Sequence, residues 1–252
     1  MPSRLLSTVR RLVRAAGFDV VRYNELPMDL DAGIRETIAA VKPFTLTSVS
    51  RVAALCEAVR YLADAGVMGA VVECGVWRGG SMMAVARTLL QCGDTSRHLH
   101  LFDTFQGMTA PTGKDVTFLG DSASRLLEVE APANPESVWC IASLEEVRRN
   151  MQSTGYPSSC THYIEGRVED TIPAQIPDSI AMLRLDTDWY ESTRHELEHL
   201  YPRLVKGGVL ILDDYGHWRG ARQAVDEYFA RGGGRPLLHR IDYSGRLAIK
   251  VG

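Results

Sequence analysis

Asp213 and Asp214 stand side by side in LILDDYGHW, directly after a run of aliphatic residues, and Asp186 and Asp188 stand two apart in LRLDTDWY after another such run. Carboxylates crowded at the ends of apolar segments repel one another and lose hydration, so the arrangement demands a positive partner. The donors are oxygens, no cysteine lies among them, and His217 is the one imidazole close by. That set suits a hard divalent cation such as Mg²⁺, with waters or substrate oxygens completing its shell. Asp186, Asp213 and Asp214 are the expected ligands. Helix capping is the plainer account, with Asp213 or Asp214 capping a helix near Trp218 and Asp188 capping another. Capping uses one acid per helix, however, and leaves the rest unpartnered.

These acids need elements that bring them to one place. Strand-length apolar runs recur at GAVVECG, HLHLFDT, HYIEG, IAMLRLD and GVLILDD. Stretches with helical periodicity, SMMAVARTLLQ, SLEEVRRNM, STRHELEHLYPRL and WRGARQAVDEYFA, follow them. The alternation predicts an α/β fold with a mostly parallel sheet covered by helices on both faces. PLLHRIDY and GRLAIKV, joined at Ser244-Gly245, predict an antiparallel hairpin at one edge, which brings the sheet to seven strands. In such sheets ligands bind beyond the carboxyl ends of the strands. Four of the five runs carry acids there: Glu73, Asp103, Asp186 and the pair Asp213-Asp214.

The chain has 252 residues, 45% of them apolar, and a formal charge of −3, enough to bury a full core without the basic excess of a nucleic-acid binder. Five scattered cysteines without a C-x-x-C pair signal neither a disulfide framework nor a zinc site and fit a reducing cytoplasm. No apolar stretch is long enough to span a membrane. Arg4, Arg10, Arg11 and Arg14 alternate with Leu5, Leu6, Val9, Leu12 and Val13 at helical spacing. This basic amphipathic helix is read as an arm packing on the domain or a second subunit, in a homo-oligomer, ahead of peripheral contact with a membrane surface. Residues 1–66 are expected to form a helical arm and cap, and 67–252 the sheet domain. The Gly- and Pro-rich stretch at about 107–135 reads as a lid loop.

The loop ECGVWRGGS places Gly75, Gly79 and Gly80 between strand and helix, which allows backbone to approach a ligand closely. No G-K-[ST] follows and the spacing is not G-x-G-x-x-G, so a phosphate cradle is disfavoured. The form E-x-G-x-x-x-G instead resembles the first motif of class I S-adenosylmethionine (SAM) methyltransferases, with a Rossmann-like fold. There the strand acid serves the amino-acid end of the cofactor, and Asp103 sits where a carboxylate meets the ribose hydroxyls. Taken together, VVECGVWRGGS, LFDTFQGM, YIEGRVEDTIP, LRLDTDWYEST and GGVLILDDYGHWRGARQAVDEY resemble the macrocin O-methyltransferase family from about Thr45 to the end. The resemblance implies SAM- and Mg²⁺-dependent methylation of a hydroxyl, commonly on a sugar of a natural product. It implies a cofactor site of Thr45, Glu73, Asp103, Ser143, Gly166 and Arg167 beside Gly75 and Gly79, and a metal site of Asp186, Asp213 and Asp214.

An alcohol is a poor nucleophile at neutral pH, so a cation and a proton acceptor are both needed. Asp188, then His217, are the candidate bases. Some members of the family place a histidine base in the lid, whereas this chain has no histidine between Leu101 and Thr161. Two rival readings stand beside the sugar methylase. One is a metal-dependent methylase of catechols or other phenols, and the other is a SAM-binding protein without catalysis.

Overall fold

A computed structural model describes residues 4–16, 26–132, 134, 137–232 and 235–251. The chain divides after Asp31 into two units. The smaller contains the expected N-terminal helix, α1 (Arg4–Ala15), on which Val9 and Leu12 are exposed. The apolar face proposed for it includes Leu5 and Leu6, whose side chains lie outside the described residues. The larger unit begins at α2 (Ala32–Val41) and α3 (Val49–Asp64). Both pack in it, on α3's neighbour α4 (Gly80–Gln91), rather than belonging with α1 to a separate cap ending at residue 66.

The sheet follows the expected runs. Five parallel strands, β1 (Ala70–Cys74), β2 (Leu99–Asp103), β3 (Thr161–Glu165), β4 (Ile180–Leu185) and β5 (Leu204–Leu212), carry the antiparallel β6 (His239–Arg240) and β7 (Arg246–Ile249) at one edge. Their spatial order is β3-β2-β1-β4-β5-β7-β6. Every residue of β1 and of β4 is buried, as continuous apolar strands require when helices cover both faces. The helices pack in two sets. One is α2, α3, α4 and α6 (Leu144–Gln152); the other is α7 (Val168–Thr171), α8 (Tyr190–Leu200) and α9 (Arg219–Ala230). Strand order reverses between β1 and β4, so the crevice for a ligand opens at their carboxyl ends.

The expected lid is more ordered than a loop. It carries α5 (Ala123–Val129) and short antiparallel bridges, Val116 with Ser122 and Thr117 with Trp218. Ala123 and Leu127 bury against Trp189 and Trp218, whose rings meet edge-on at 4.9 Å. Those tryptophans are therefore packing residues beneath the lid. Asp115, fully buried, ties the lid down: its carboxylate accepts from the backbone N–H of Tyr190 at 2.8 Å and of Thr112 at 2.6 Å. Gly220 makes room for it, since a side chain there would overlap the Asp115 carboxylate.

Candidate active site

The loop after β1 is shaped by close approach. Gly75 has φ +81°, and a side chain at this position would run into the Asp186 carbonyl at the end of β4. Asp103, ending β2, braces the same loop: one carboxylate oxygen accepts from Val76 N–H at 2.6 Å and Trp77 N–H at 3.0 Å, the other from Phe105 N–H at 2.7 Å. Burial holds this carboxyl above the usual carboxylate range, against the pull of those N–H donors. Asp103 thus positions two loops at once.

The acids at the ends of β1, β4 and β5 meet two arginines that sequence reasoning missed. Arg184, interior to β4 and 4% exposed at its side chain, donates to Glu73, to Asp186 at 2.6 Å and to Asp213 at 2.5 Å. Arg51, from α3, pairs with the other Asp213 oxygen and with Asp242 at 3.1 Å. Arg184 was legible as an arginine inside LRLD, an apolar run where only a buried ion pair tolerates it. Arg51 gave no such signal. Part of the answer to the crowded aspartates is therefore guanidinium.

The arginines do not satisfy the whole rim. Asp186, Asp188 and Asp214 each turn a carboxylate oxygen to within 4.8 Å of the others. Asp214 Oδ2 is buried without a hydrogen-bond partner, and so is Glu73 Oε2. Burial and the mutual repulsion of these acids push Asp186 and Asp214 well above the usual range and Asp188 up to about 7. Glu73 is likewise pushed up to about 7 by burial, opposed by Arg184. Asp188 adopts a left-handed backbone, φ +67°, an uncommon conformation that turns its carboxyl toward Asp214 and Trp218.

Two adjoining hollows share Gly75, Asp103, Gly107, Met108 and Asp186 and so form one cleft. One end includes Gly166 and Arg167. The other, of about 470 Å³, includes Asp188, Asp213, Asp214 and His217. Burial and the charge of Arg51 lower the His217 pKa, and the Tyr243 hydroxyl lies 3.3 Å from its Nδ1. Among the expected site residues, the structure brings Gly75, Asp103, Gly166, Arg167, Asp186, Asp188, Asp213, Asp214 and His217 to this cleft. Four others stand outside its lining. Glu73 is buried against Arg184, Gly79 stands at the N-cap of α4, and Ser143 caps α6 by accepting from Glu146 N–H at 3.2 Å. Thr45 accepts from Thr47 N–H at 3.0 Å and packs against Gly80, while its neighbours Leu46 and Thr47 reach the cleft. In the group of gathered oxygens, Asp188 takes the place expected for Asp213, which is committed to Arg51 and Arg184.

A mostly parallel seven-stranded sheet with an antiparallel last pair and its cleft at the β1–β4 reversal defines a class I methyltransferase, the fold that takes its methyl group from SAM. Residues 27–248 match the model of the macrocin O-methyltransferase family. The chain is 34% identical over 201 residues to a tetracenomycin-rhamnosyl 4'-O-methyltransferase of Streptomyces olivaceus, covering 80% of this chain and 73% of that one. It is equally 34% identical over 202 residues to the demethyldecarbamoylnovobiocin O-methyltransferase of Streptomyces niveus, with the same coverage. The solved O-methyltransferase NovP superposes with a TM-score of 0.71 at 31% identity over 83% of each chain. The chain belongs to the macrocin O-methyltransferase family and is an O-methyltransferase.

Proposed function

We propose that this protein transfers a methyl group from SAM to a sugar hydroxyl of a natural product, with a divalent cation, Mg²⁺, held at Asp186 and Asp214. The observation that carries the metal is the unpartnered, buried Asp214 Oδ2 within a group of three carboxylates whose oxygens converge to 4.8 Å. Two arginines face six acids on this rim, Glu73, Asp186, Asp188, Asp213, Asp214 and Asp242, and a hard cation relieves the excess in the way protons otherwise would. The sugar acceptor is supported by relatives named for methylation of a rhamnosyl group and of mycinamicin III. For SAM, the residues fit. Gly75 lines the cleft, Asp103 stands at the second strand end, and Gly166 and Arg167 close the far end of the cleft.

Bound SAM supplies an electrophilic methyl carbon, and a bound divalent ion makes a neighbouring hydroxyl more acidic. The chain supplies position and proton transfer. The lid, packed over Trp189 and Trp218, keeps water from the acceptor, and the rim holds its oxygen in line for displacement. Either Asp188 or Asp213 would be the third residue to hold the ion: Asp188 already faces Asp186 and Asp214, whereas Asp213 is paired with Arg51 and Arg184. If Asp213 were to hold the ion, Asp188, which faces Asp186 and Asp214, would be the group placed to take the proton. If Asp188 holds it, His217 does so, since its lowered pKa keeps the imidazole neutral at pH 7. Mg²⁺ titrations of Asp188→Asn and Asp213→Asn separate the two, because only the ligand's variant loses affinity.

The decisive test is dialysis against a chelator, followed by methyl transfer to a panel of glycosides. Turnover should fall at least a hundredfold and return with Mg²⁺. Stripped protein working at full speed would end the metal reading.

A further inference from the structure

The acidic cleft opens onto apolar side chains that face water. Tyr243, 54% exposed, and Leu46, 52% exposed, line the same hollow as Asp188, Asp214 and His217. Phe118, 49% exposed, extends this lining from the lid, its ring 6.0 Å from that of Tyr243 and 5.8 Å from that of His217. The His217 and Tyr243 rings are themselves 6.0 Å apart, so the three make one surface. The chain holds Phe118 in that place. Its N–H donates to the His217 carbonyl at 2.8 Å and its own carbonyl accepts from Arg219 at 3.0 Å, while Thr117 before it bridges to Trp218. Gly120, at φ +98°, closes the turn by donating to the Thr117 carbonyl at 2.9 Å. A phenyl ring fixed through its backbone and left half in water is pre-organised for contact. Beside a polar pocket, such a surface is one that a ligand covers.

We propose that Phe118 and Tyr243, with Leu46 on the cleft wall, seat the apolar portion of the acceptor to which the sugar is joined, and so set acceptor specificity. This rests on the reading that a sugar hydroxyl is methylated at the acidic rim. Polarity divides the work. Sugar hydroxyls meet carboxylates and a cation at the inner end, whereas an apolar group gains by covering the rings at the mouth. The Phe118 ring stands one ring's breadth past His217, within reach of a group joined to the sugar through a glycosidic oxygen.

The test gives the full chain the methyl and 2-naphthyl glycosides of one sugar, in the parent, Phe118→Ala and Phe118→Tyr. In the parent, kcat/KM should favour the naphthyl glycoside by about tenfold or more. That preference should shrink to about twofold or less in Phe118→Ala and return in Phe118→Tyr, which keeps a ring. The change should sit in KM, because the seat holds substrate and transition state alike. A merely structural Phe118 would lower both acceptors together and leave the ratio, and that result overturns the proposal. So does a parent that shows no preference. An unchanged ratio with a dimer lost by light scattering would assign the rings to a second copy of the chain, and overturns it as well. Calorimetry with the naphthyl glycoside separates the seat from the reading beneath it. Binding weakened about tenfold in Phe118→Ala, with neither glycoside methylated, would uphold the seat and remove sugar methylation. Methylation of both glycosides, with equal affinity in parent and variant, would remove the seat alone.

Discussion

At the carboxyl ends of β1, β4 and β5, Glu73, Asp186 and Asp213 share Arg184 and Arg51, with Asp214 beside them. Near the amino ends of β2 and β3, three histidines gather instead. His98 and His100 stack on His162 with ring centres 5.0 and 4.6 Å apart, and His98 Nδ1 lies 2.7 Å from His162 Nε2. Burial first, then the neighbouring imidazoles, lower His100 to about 4, and burial with His98 lowers His162. Both ends crowd groups of one sign. Histidine escapes the repulsion by staying unprotonated, at little cost near neutrality. Carboxyls do so only with pKa values raised above their ordinary range, as at Glu73, Asp186 and Asp214, and the chain adds guanidinium countercharge. The end that retains charge is the one with chemistry to do.

If that contrast is right, the two halves of the acidic rim should answer differently to substitution. Asp214→Asn should lower turnover at least a thousandfold, about 4 kcal/mol of transition-state stabilisation. It should leave SAM affinity by calorimetry within a few-fold of the parent. In metal-free protein it should also leave stability within about 1 kcal/mol of the parent, because burial and its acidic neighbours already disfavour the charged form of this carboxyl. Arg184→Met should do the opposite to the fold. Glu73, Asp186 and Asp213 would lose a shared cation, and urea unfolding should show a loss of about 3–5 kcal/mol. Losses of similar size from both substitutions would erase the distinction between paired and metal-seeking acids.

The parts of this arrangement written in local sequence were readable, and the parts written in tertiary contact were not. The five parallel strands and the hairpin follow from apolar continuity and a turn dipeptide, and the cleft follows from where parallel strands end. Seven residues of α5 make barely two turns, too few for periodicity to show, and they fold because Trp189 and Trp218 offer a surface. Arg51 meets Asp213 across 162 positions of sequence, a pairing no spacing rule reports. The same pairing draws Asp213 from the group of gathered oxygens and leaves Asp188 in it. Asp115 belongs with these, since nothing in TGKDV marks an aspartate that will be fully buried.

Asp115 also extends the comparison, being a buried acid at the charged end that needs neither arginine nor metal. Backbone donors from Tyr190 and Thr112 and the Thr112 hydroxyl, at 2.9 Å, satisfy it. Asp115→Asn turns an amide NH₂ toward at least one of these donors and should cost about 1–3 kcal/mol. The loss should appear as a raised KM for the acceptor with SAM affinity unchanged, because the lid rather than the cofactor end is loosened. A variant with parental KM would mean that the lid is held by its tryptophan packing alone.

The smallest effect belongs to the histidine end. Because the folded pKa of His100, about 4, lies below the ordinary value of 6.5, the two states bind equally few protons above pH 6.5. Between 6.5 and 4 the unfolded chain takes up a proton that the folded chain refuses, so stability falls as pH falls. Allowing for the ring's partial exposure, the loss should be about 1–2 kcal/mol by pH 4. His100→Phe should flatten that part of the stability curve in urea titrations taken from pH 7 to pH 4, while leaving the chelator response of turnover as it was. A slope equally steep in the variant would place the acid sensitivity at the carboxylate rim and remove the contrast between the two ends of the sheet.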